Sequence, residues 1–433
     1  MRSIAFHTLG CKVNQYDTQA MLELFQAAGY QIVPFSGPAD LYLVNTCTVT
    51  GTGDKKSLQL ARRLKREHPE SHLILCGCMA QSRPDALLKA GADLVLGTQR
   101  RMEVVALTER MLAEGKPVCA VSPVTDTVFE PLTISSQAEH TRATLKIQEG
   151  CDCRCTYCII PDVRGPIRSR PMKEICLESE RLRDAGYREL VLTGIHLSSY
   201  GRDLAEPVTL SDVLGALQQI PGILRIRLGS LEPNVITPSF IEAVGAMDKV
   251  CPQFHLALQS GSDSVLRRMR RRYNTEQYMR AAERIRSVYP LAALTTDVLT
   301  GFPGETEAEF EETRAFLKEI GFARIHVFPY SPRPDTPAAA MPGQLSSAEK
   351  ESRARILIAD GHEMTNRWLQ SWIGRESTLL AEERAEDCWE GYTPEYIRVR
   401  MDRETACESG QIVKIRLTGV KDQRMNAMPV QTV

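Results

Sequence analysis

Short apolar runs alternate with amphipathic stretches along most of this chain, and no other feature limits the possible folds as much. Over residues 1–120 the runs RSIAFHTLG, LYLVNT, HLILCG and DLVLG are each followed by a helix-like segment, near 16–28, 54–67, 83–90 and 100–114. Alternation of this kind predicts a parallel sheet with helices on its faces. In open sheets of that type, sites form at the carboxyl ends of the strands. Cys11, Cys47 and Cys78 lie just past the ends of the first three runs, so three thiols far apart in sequence are expected to converge on one sheet edge.

A Pro/Thr/Ser-rich stretch, PVTDTVFEPLTISSQ (123–137), reads as a linker. After it a second βα series begins, with strands at 144–149, 189–194, 224–230, 254–260, 294–301 and 324–331. Helical stretches separate them, among them 172–185, 210–219, 238–246, 275–287 and 305–319. Six such units predict a partial TIM-type (β/α)6 barrel with its active site at the C-terminal ends of the strands. From about 371 the runs ESTLLAEE, EYIRVRM and QIVKIRLTG follow one another without helices, which predicts a small β-barrel. The fold class expected is α/β, with a parallel-sheet domain at 1–122, a barrel at 138–370 and a small β-barrel at 371–433.

The N-terminus lacks the apolar core of a signal peptide, and no run approaches the ~18 apolar residues of a membrane span, so a cytoplasmic protein with no membrane partner is expected. Thirteen cysteines in such a compartment point to metal ligation or redox chemistry, because cytosolic thiols are kept reduced. The formal net charge is −1, so any nucleic-acid contact has to come from local patches such as ARRLKRE (61–67) and LRRMRRRY (266–273).

The densest cysteine cluster is EGCDCRCTYCIIP (149–161), in the loop after the barrel's first strand. Cys151, Cys155 and Cys158 are spaced C-x3-C-x2-C. Iron–sulfur clusters are normally held by four thiolates, so three ligands leave one iron open to another group. The competing reading is a zinc knuckle, which would make the chain a zinc-containing tRNA- or ribosome-binding module. A zinc ribbon, however, needs a second cysteine pair nearby.

The C-x3-C-x2-C loop resembles the signature of radical S-adenosylmethionine (SAM) enzymes. The motifs TLGCKVNQYDT (8–18), VNTCTVT (44–50) and GCMAQ (77–81) are similar to the cluster domain of the methylthiotransferases within that superfamily. The C-terminal segment is similar to a TRAM domain, a small RNA-binding β-barrel. The resemblance implies two 4Fe-4S clusters, one on Cys11, Cys47 and Cys78 and one on Cys151, Cys155 and Cys158, with SAM on the open iron of the second. It also implies an electron donor such as flavodoxin or ferredoxin. Cys153 and Cys76 fall outside the matched motifs and are expected to be dispensable. Cys119, Cys176, Cys251, Cys388 and Cys407 are expected to be packing residues.

Within the family, TLGCKVNQYDT and WEGYTPEYIRV (389–399) are similar to the MtaB type, which acts on threonylcarbamoyladenosine in tRNA. The MiaB type acts on isopentenyladenosine in tRNA and RimO on an aspartate of a ribosomal protein. The resemblance therefore implies a monomeric enzyme that places a methylthio group on carbon 2 of threonylcarbamoyladenosine in the anticodon stem-loop. The stretch SPRPDTPA (331–338) departs from the pattern, since relatives usually carry Gly at the place of Asp335, and a differently shaped turn is expected there. Tyr157 matches an aromatic that borders the adenine of SAM, with ordinary packing as the alternative. Further cofactor-binding candidates at strand ends are Gly194, Ser230, Glu232, Gln259 and Asp297. Arg267, Arg268, Arg270, Arg271 and Arg272 have no acids among them and are candidates for phosphate contact.

Overall fold

The computed structural model describes residues 1–137, 141–385, 388–402 and 407–430. The expected start of the second domain at 138 and the expected end of the third at 433 lie outside the described residues.

The first unit is a six-stranded parallel sheet in the order β2-β1-β3-β4-β5-β6. Its strands are β1 (Ser3–Thr8), β2 (Gln31–Ile32), β3 (Leu41–Thr46), β4 (His72–Gly77), β5 (Leu94–Leu96) and β6 (Val118–Ala120). The helices α1 (Lys12–Ala27), α2 (Gly51–Glu67), α3 (Cys78–Ser82), α4 (Pro84–Lys89) and α5 (Val104–Glu114) connect them. Apolar residues on the two sheet faces form separate clusters, one around Phe25, Leu43 and Leu96 and the other around Val44, Leu75 and Val95. α1 starts four residues before its apolar period suggests, because Cys11 already serves as its N-cap.

The second unit has β7 (Arg142–Glu149), α6 (Ile160–Arg164), β8 (Arg168–Ser169), α7 (Met172–Asp184), β9 (Glu189–Gly194), α8 (Leu210–Gln218), β10 (Arg225–Leu228) and β11 (Ser230–Leu231). It continues through α9 (Pro238–Gly245), β12 (Gln253–Leu256), α10 (Asp263–Arg268), α11 (Thr275–Val288), β13 (Ala293–Thr300), α12 (Glu307–Ile320), β14 (Arg324–Pro329) and α13 (Ser347–Gln370). One sheet runs β10-β9-β7-β8, the other β11-β12-β13-β14, and a bridge from Ile226 to Val250 joins them. Six of these strands are the long parallel ones expected, and they form the partial barrel. Capping boxes at Thr209, Asn274, Thr306 and Ser346 start α8, α11, α12 and α13.

Alternation along the strands sorts the side chains. Ala143, Leu145, Ile147, Leu190, Leu192, Ile226 and Leu256 join one apolar cluster with helix residues such as Leu182, Leu214 and Ile285. Their neighbours in sequence, among them Thr144, Lys146, Gln148, Thr193, Arg227, His255 and Asp297, face the other way, into the lumen. A complete eight-stranded barrel fills this space with branched apolar layers. Here the lumen is polar and the open side is covered by α1, whose Tyr16 and Ala20 belong to the barrel's own core.

The stretch 123–137 forms no regular element, yet it is not a loose tether. Phe129, Leu132 and Ile134 are buried, and Leu132 and Ile134 join the barrel core. Glu130 bonds Arg101 at 2.7 Å, and the Ser135 N–H donates to Glu23 at 2.8 Å. Its few apolar residues, spaced between prolines, are what turn an expected linker into a strap.

The third unit is a closed barrel in the order β15-β16-β17-β19-β18, from β15 (Glu376–Arg384), β16 (Cys388–Tyr392), β17 (Arg398–Asp402), β18 (Ile412–Lys421) and β19 (Arg424–Pro429). It docks on the end of the partial barrel where β7, β9 and β10 begin. Arg227 pairs with Glu189 at 2.7 Å and donates to the carbonyls of Pro394 and Thr393. Arg225 donates to Tyr392 O at 3.0 Å, and Arg142 pairs with Glu382 at 2.6 Å. Tyr392 and Tyr396 stack 4.5 Å apart, with Arg142 over both rings. Tyr396 holds a left-handed φ of 64°, a conformation that this tight docking maintains.

Candidate active site: two cysteine triads

The first triad gathers where the N-terminal sheet meets the barrel. Gly10 approaches Cys47 so closely that a Cβ there would lie 3.0 Å from its Sγ. Its φ of 105° also excludes most side chains, and this is why Gly must precede Cys11. Cys78 opens α3, and Cys47 follows β3. The charges of Cys11 and Cys47 both act on Cys78, so the three thiols share one locale. The turn with Asp335 completes the surroundings. Arg333, 2% exposed, donates to Thr48 Oγ1 at 2.8 Å and pairs with Asp54, which pins the loop after Cys47. Asp335 itself has a φ of 70°, in the left-handed region that favours glycine.

The second triad lies in the loop after β7. The N–H of Cys153 donates to Cys151 Sγ at 3.4 Å, and that of Cys158 to Cys155 O at 3.0 Å. Ile159, beside Cys158, packs on Cys78 together with Val163. Cys78 of the first set is therefore linked to the loop of the second through Ile159 and the five-residue helix α6.

Each triad is met by one buried arginine. Arg164, fully buried, donates from Nε to Cys78 Sγ at 3.2 Å. Arg271, with 6% of its side chain exposed, donates from Nη1 to Cys155 Sγ at 3.2 Å and pairs with Glu232 at 2.7 Å. Burial pushes the Cys78 thiol up to about 11 and the Cys158 thiol up to about 12. A thiolate at either position needs a nearby positive charge, and these arginines supply it. Two loops that each carry three matched cysteines, with a buried arginine donating to one thiol of each, suit two iron–sulfur clusters, whose thiolate-rich shells carry negative charge.

Arg164 also anchors a charge network that ties the domains together. Asp17, Glu149 and Glu130 face Arg101, Lys146 and Arg164. Asp17 lies 2.7 Å from Lys146 and 3.1 Å from Arg164, and Glu149 lies 3.1 Å from Arg164. Burial opposes ionisation of Asp17, but Arg101, Lys146 and Arg164 outweigh it and hold its carboxyl below the usual range.

The remaining candidates fall into separate groups. Glu232 joins Arg271 and stands 3.6 Å from His196 Nε2. Tyr157 packs against Val265, Met269, Phe302 and Tyr330 and lies 3.5 Å from Arg271. Gly194 is a close-approach glycine, since a Cβ there would lie 2.9 Å from the Gln148 Cβ. Ser230 is exposed at the mouth. Gln259, at a φ of 70°, exchanges backbone hydrogen bonds with Asp297 and Leu299, while the Asp297 carboxylate lies 3.3 Å from His255. A cavity of about 470 Å³ beside the loop is bordered by His196, Glu232, Asn234 and Arg272.

Two further placements were not legible in the sequence. Cys153, expected to be a bystander, lies with Cys151, Asp152 and His196 so that one ligand atom from each falls within 4.8 Å of the others. Burial works against a charged His196, but contact with Cys153 and Glu232 raises its pKa to about 9. The arginine run is not one surface. α10 ends at Arg268, and Arg270 takes a φ of 56°, which turns Arg271 inward while Arg267, Arg270 and Arg272 stay exposed. Arg268 makes a two-pronged bond to Glu309, 2.8 Å on each arm.

That pair sets a pH dependence. The hydrogen bond from Arg268 holds the Glu309 carboxyl at about 2, below its ordinary value. A depressed carboxyl contributes stability above its unfolded value of about 4.3 and loses it as pH falls toward 2. Glu309→Gln is therefore expected to cost about 1 kcal/mol or less at pH 6. The gap from the parent in denaturant midpoints should close between pH 4.5 and 2.

The molecule's arginines were the residues least accessible to sequence reading. Arg164 and His196 carried no motif, although Arg164 stands six residues after Cys158 in a helix that the loop forces against both triads.

Residues 3–97 match the family described as "Uncharacterized protein family UPF0004", and residues 145–317 match the radical SAM superfamily. The chain is 41% identical to the threonylcarbamoyladenosine tRNA methylthiotransferase MtaB of Bacillus subtilis, over 96% of this chain and 94% of that one. It is 36% identical to the protein of the same name from Thermotoga maritima, over 88% and 87%. In fold it is similar to the radical SAM methyltransferase TsrM from Kitasatospora setae, with a TM-score of 0.60 and 14% identity over 78% of this chain and 77% of that one.

Proposed function

The chain belongs to the threonylcarbamoyladenosine tRNA methylthiotransferase family, and from that premise we propose that it adds a methylthio group to carbon 2 of threonylcarbamoyladenosine in the anticodon loop of tRNA. The observation that supports this best is that two cysteine-bearing loops meet through the packing of Cys78 on Ile159 and α6, each with a buried arginine donating to one of its thiols.

When bound, two 4Fe-4S clusters and SAM supply the one-electron chemistry and the methyl and sulfur groups. Cys11, Cys47 and Cys78 would hold one cluster, and Cys151, Cys155 and Cys158 the other. The protein's own residues supply placement. α6 and the Asp17–Arg164–Glu149 network fix the separation of the triads, so that two reagents meet one carbon without a search. The polar lumen offers hydrogen bonds to a base that has been splayed out of its loop, as readers of single-stranded RNA require. We assign the polar groups of SAM to Glu232 and His196, which lie 3.6 Å apart beside the second triad, and to Asp297 on β13.

Among the described residues no helix is long and apolar enough to cross a membrane. A monomer in the cytoplasm, reduced by a flavodoxin- or ferredoxin-type donor, completes the reading. Nucleoside mass spectrometry of tRNA from a strain lacking the protein tests it. Threonylcarbamoyladenosine should accumulate and its 2-methylthio derivative should vanish. A profile identical to that of the parent strain would refute the assignment.

The exposed arginines Arg267 and Arg270 and the third unit are the surfaces proposed for the RNA backbone. Each phosphate contact adds roughly 0.7–0.9 to the salt slope of binding. Changing both arginines to Glu should therefore flatten the dependence of tRNA affinity on salt and leave iron content intact. Deleting 371–433 is a poorer probe, because it would strip Arg225, Arg227 and Glu189 of their cover.

A further inference from the structure

Where the first domain, the partial barrel and the small barrel meet, a cavity of about 570 Å³ opens, with Lys12, Gln15, Thr144, Val191, Tyr392 and Tyr396 in its walls. The other cations there are engaged. Arg142 is held by Glu382 and the tyrosine rings, and Arg398 is held by Glu390. Among the described residues nothing lies within ion-pairing or hydrogen-bonding distance of the Lys12 ammonium, and no acid stands in the first turn of α1. Its ammonium reaches the water of the cavity, but the walls desolvate it. Tyr396, Arg142, Arg227 and Glu189 are its charged and titratable neighbours. Glu189 is already claimed by Arg225 and Arg227. An unpaired cation in such a space is a site for an anion.

Resting on the function proposed above, we infer that Lys12 binds the carboxylate of the substrate's threonyl arm and so determines which modified adenine is accepted. Threonylcarbamoyladenosine carries that carboxylate on N6, whereas an isopentenyl arm carries no charge. Carbon 6, which bears the arm, is one ring nitrogen away from carbon 2, so an anchor for the arm has to stand close to the reacting carbon. Lys12 directly follows Cys11, so the proposed anchor stands one residue from a proposed ligand of the first cluster. Gln15, one turn along α1, and Thr144, on the lumen face of β7, can bond the carbamoyl and hydroxyl groups. Glu382 and Glu390, on the opposite wall, are neutralised by their own arginines, and the third acid of that wall, Glu383, is exposed to solvent.

The test compares binding of synthetic anticodon stem-loops bearing adenosine, threonylcarbamoyladenosine or its methyl ester, which keeps the arm and removes the charge. A charge-assisted hydrogen bond predicts that the parent chain prefers the acid over the ester on the order of tenfold or more. Lys12→Gln should bind acid and ester alike, with unchanged affinity for the unmodified loop and unchanged iron content. If the variant retains the parent's preference for the acid, Lys12 is not the reader. If it weakens all three loops equally, Lys12 is a phosphate contact and the inference fails. The parent's own comparison of acid and ester decides the matter even if the variant folds poorly, since equal binding would exclude carboxylate recognition. These results are independent of the nucleoside profile, which alone tests the underlying function.

Discussion

Replacing Cys151, Cys155 and Cys158 with Ala is expected to abolish methylthiolation and to leave about four irons after anaerobic reconstitution, where the parent chain holds about eight. Cleavage of SAM should be lost as well. Cys78→Ala separates the two roles. It should lose methylthiolation and about four irons yet still cleave SAM when reduced, because Cys155 keeps Arg271 and the loop after β7 is untouched. Cys76 lies in β4 with its thiol toward Val44 O, fully buried, so Cys76→Ala should keep both clusters. Cys153→Ser should also keep them, with the serine hydroxyl able to take the place of the thiol beside His196. A full iron complement in the triple variant would show that the second triad is not a ligand set. Loss of a cluster in Cys153→Ser would instead make Cys153 a ligand.

The second large effect is on stability. Asp17→Asn should lower the unfolding free energy by about 3–5 kcal/mol, because a buried charge network that loses one partner leaves others uncompensated. Asp17 is 1% exposed and serves Arg101, Lys146 and Arg164 at once. After the change three cations would share Glu149 and Glu130. Denaturant midpoints of the reconstituted protein measure the loss, and a shift of less than 1 kcal/mol would mean that water reaches the network. Lys146→Met in the Asp17→Asn background should recover part of the loss by restoring the charge balance.

The sequence made the elements and the triads legible for a shared reason: both depend on local pattern. Strand-end placement brought Cys11, Cys47 and Cys78 together without any need to know what lies between them. The arginines did not yield in the same way. The run from Arg267 to Arg272 looked like one cationic face, yet a single left-handed residue at Arg270 sends its neighbour Arg271 into the core. Nothing in the composition of six residues encodes that turn. Arg164 finds Asp17, 147 positions earlier, only once both domains are in place. The packing of the stretch 123–137 was hidden because proline and serine content outweighs three apolar side chains in any reading by composition. The small barrel was legible as a unit, but its seat at the strand-start end of the partial barrel rests on Arg142, Arg225 and Arg227, which the βα period placed without revealing their partners.

Tyr16 of α1 reaches Glu178, 162 positions later in the chain. At ribosomal speeds of about 5–20 residues per second, Tyr16 leaves the exit tunnel roughly 8–30 s before Glu178 does. During this interval the nascent first domain displays the face that will enter the barrel core, and its cysteine loops lack Arg164 and Arg333. The pocket around Cys11, Cys47 and Cys78 is thus finished late in synthesis, by residues translated long after the cysteines themselves. Any group held by those three cysteines is accordingly expected to find its finished surroundings only after residue 333 has been made.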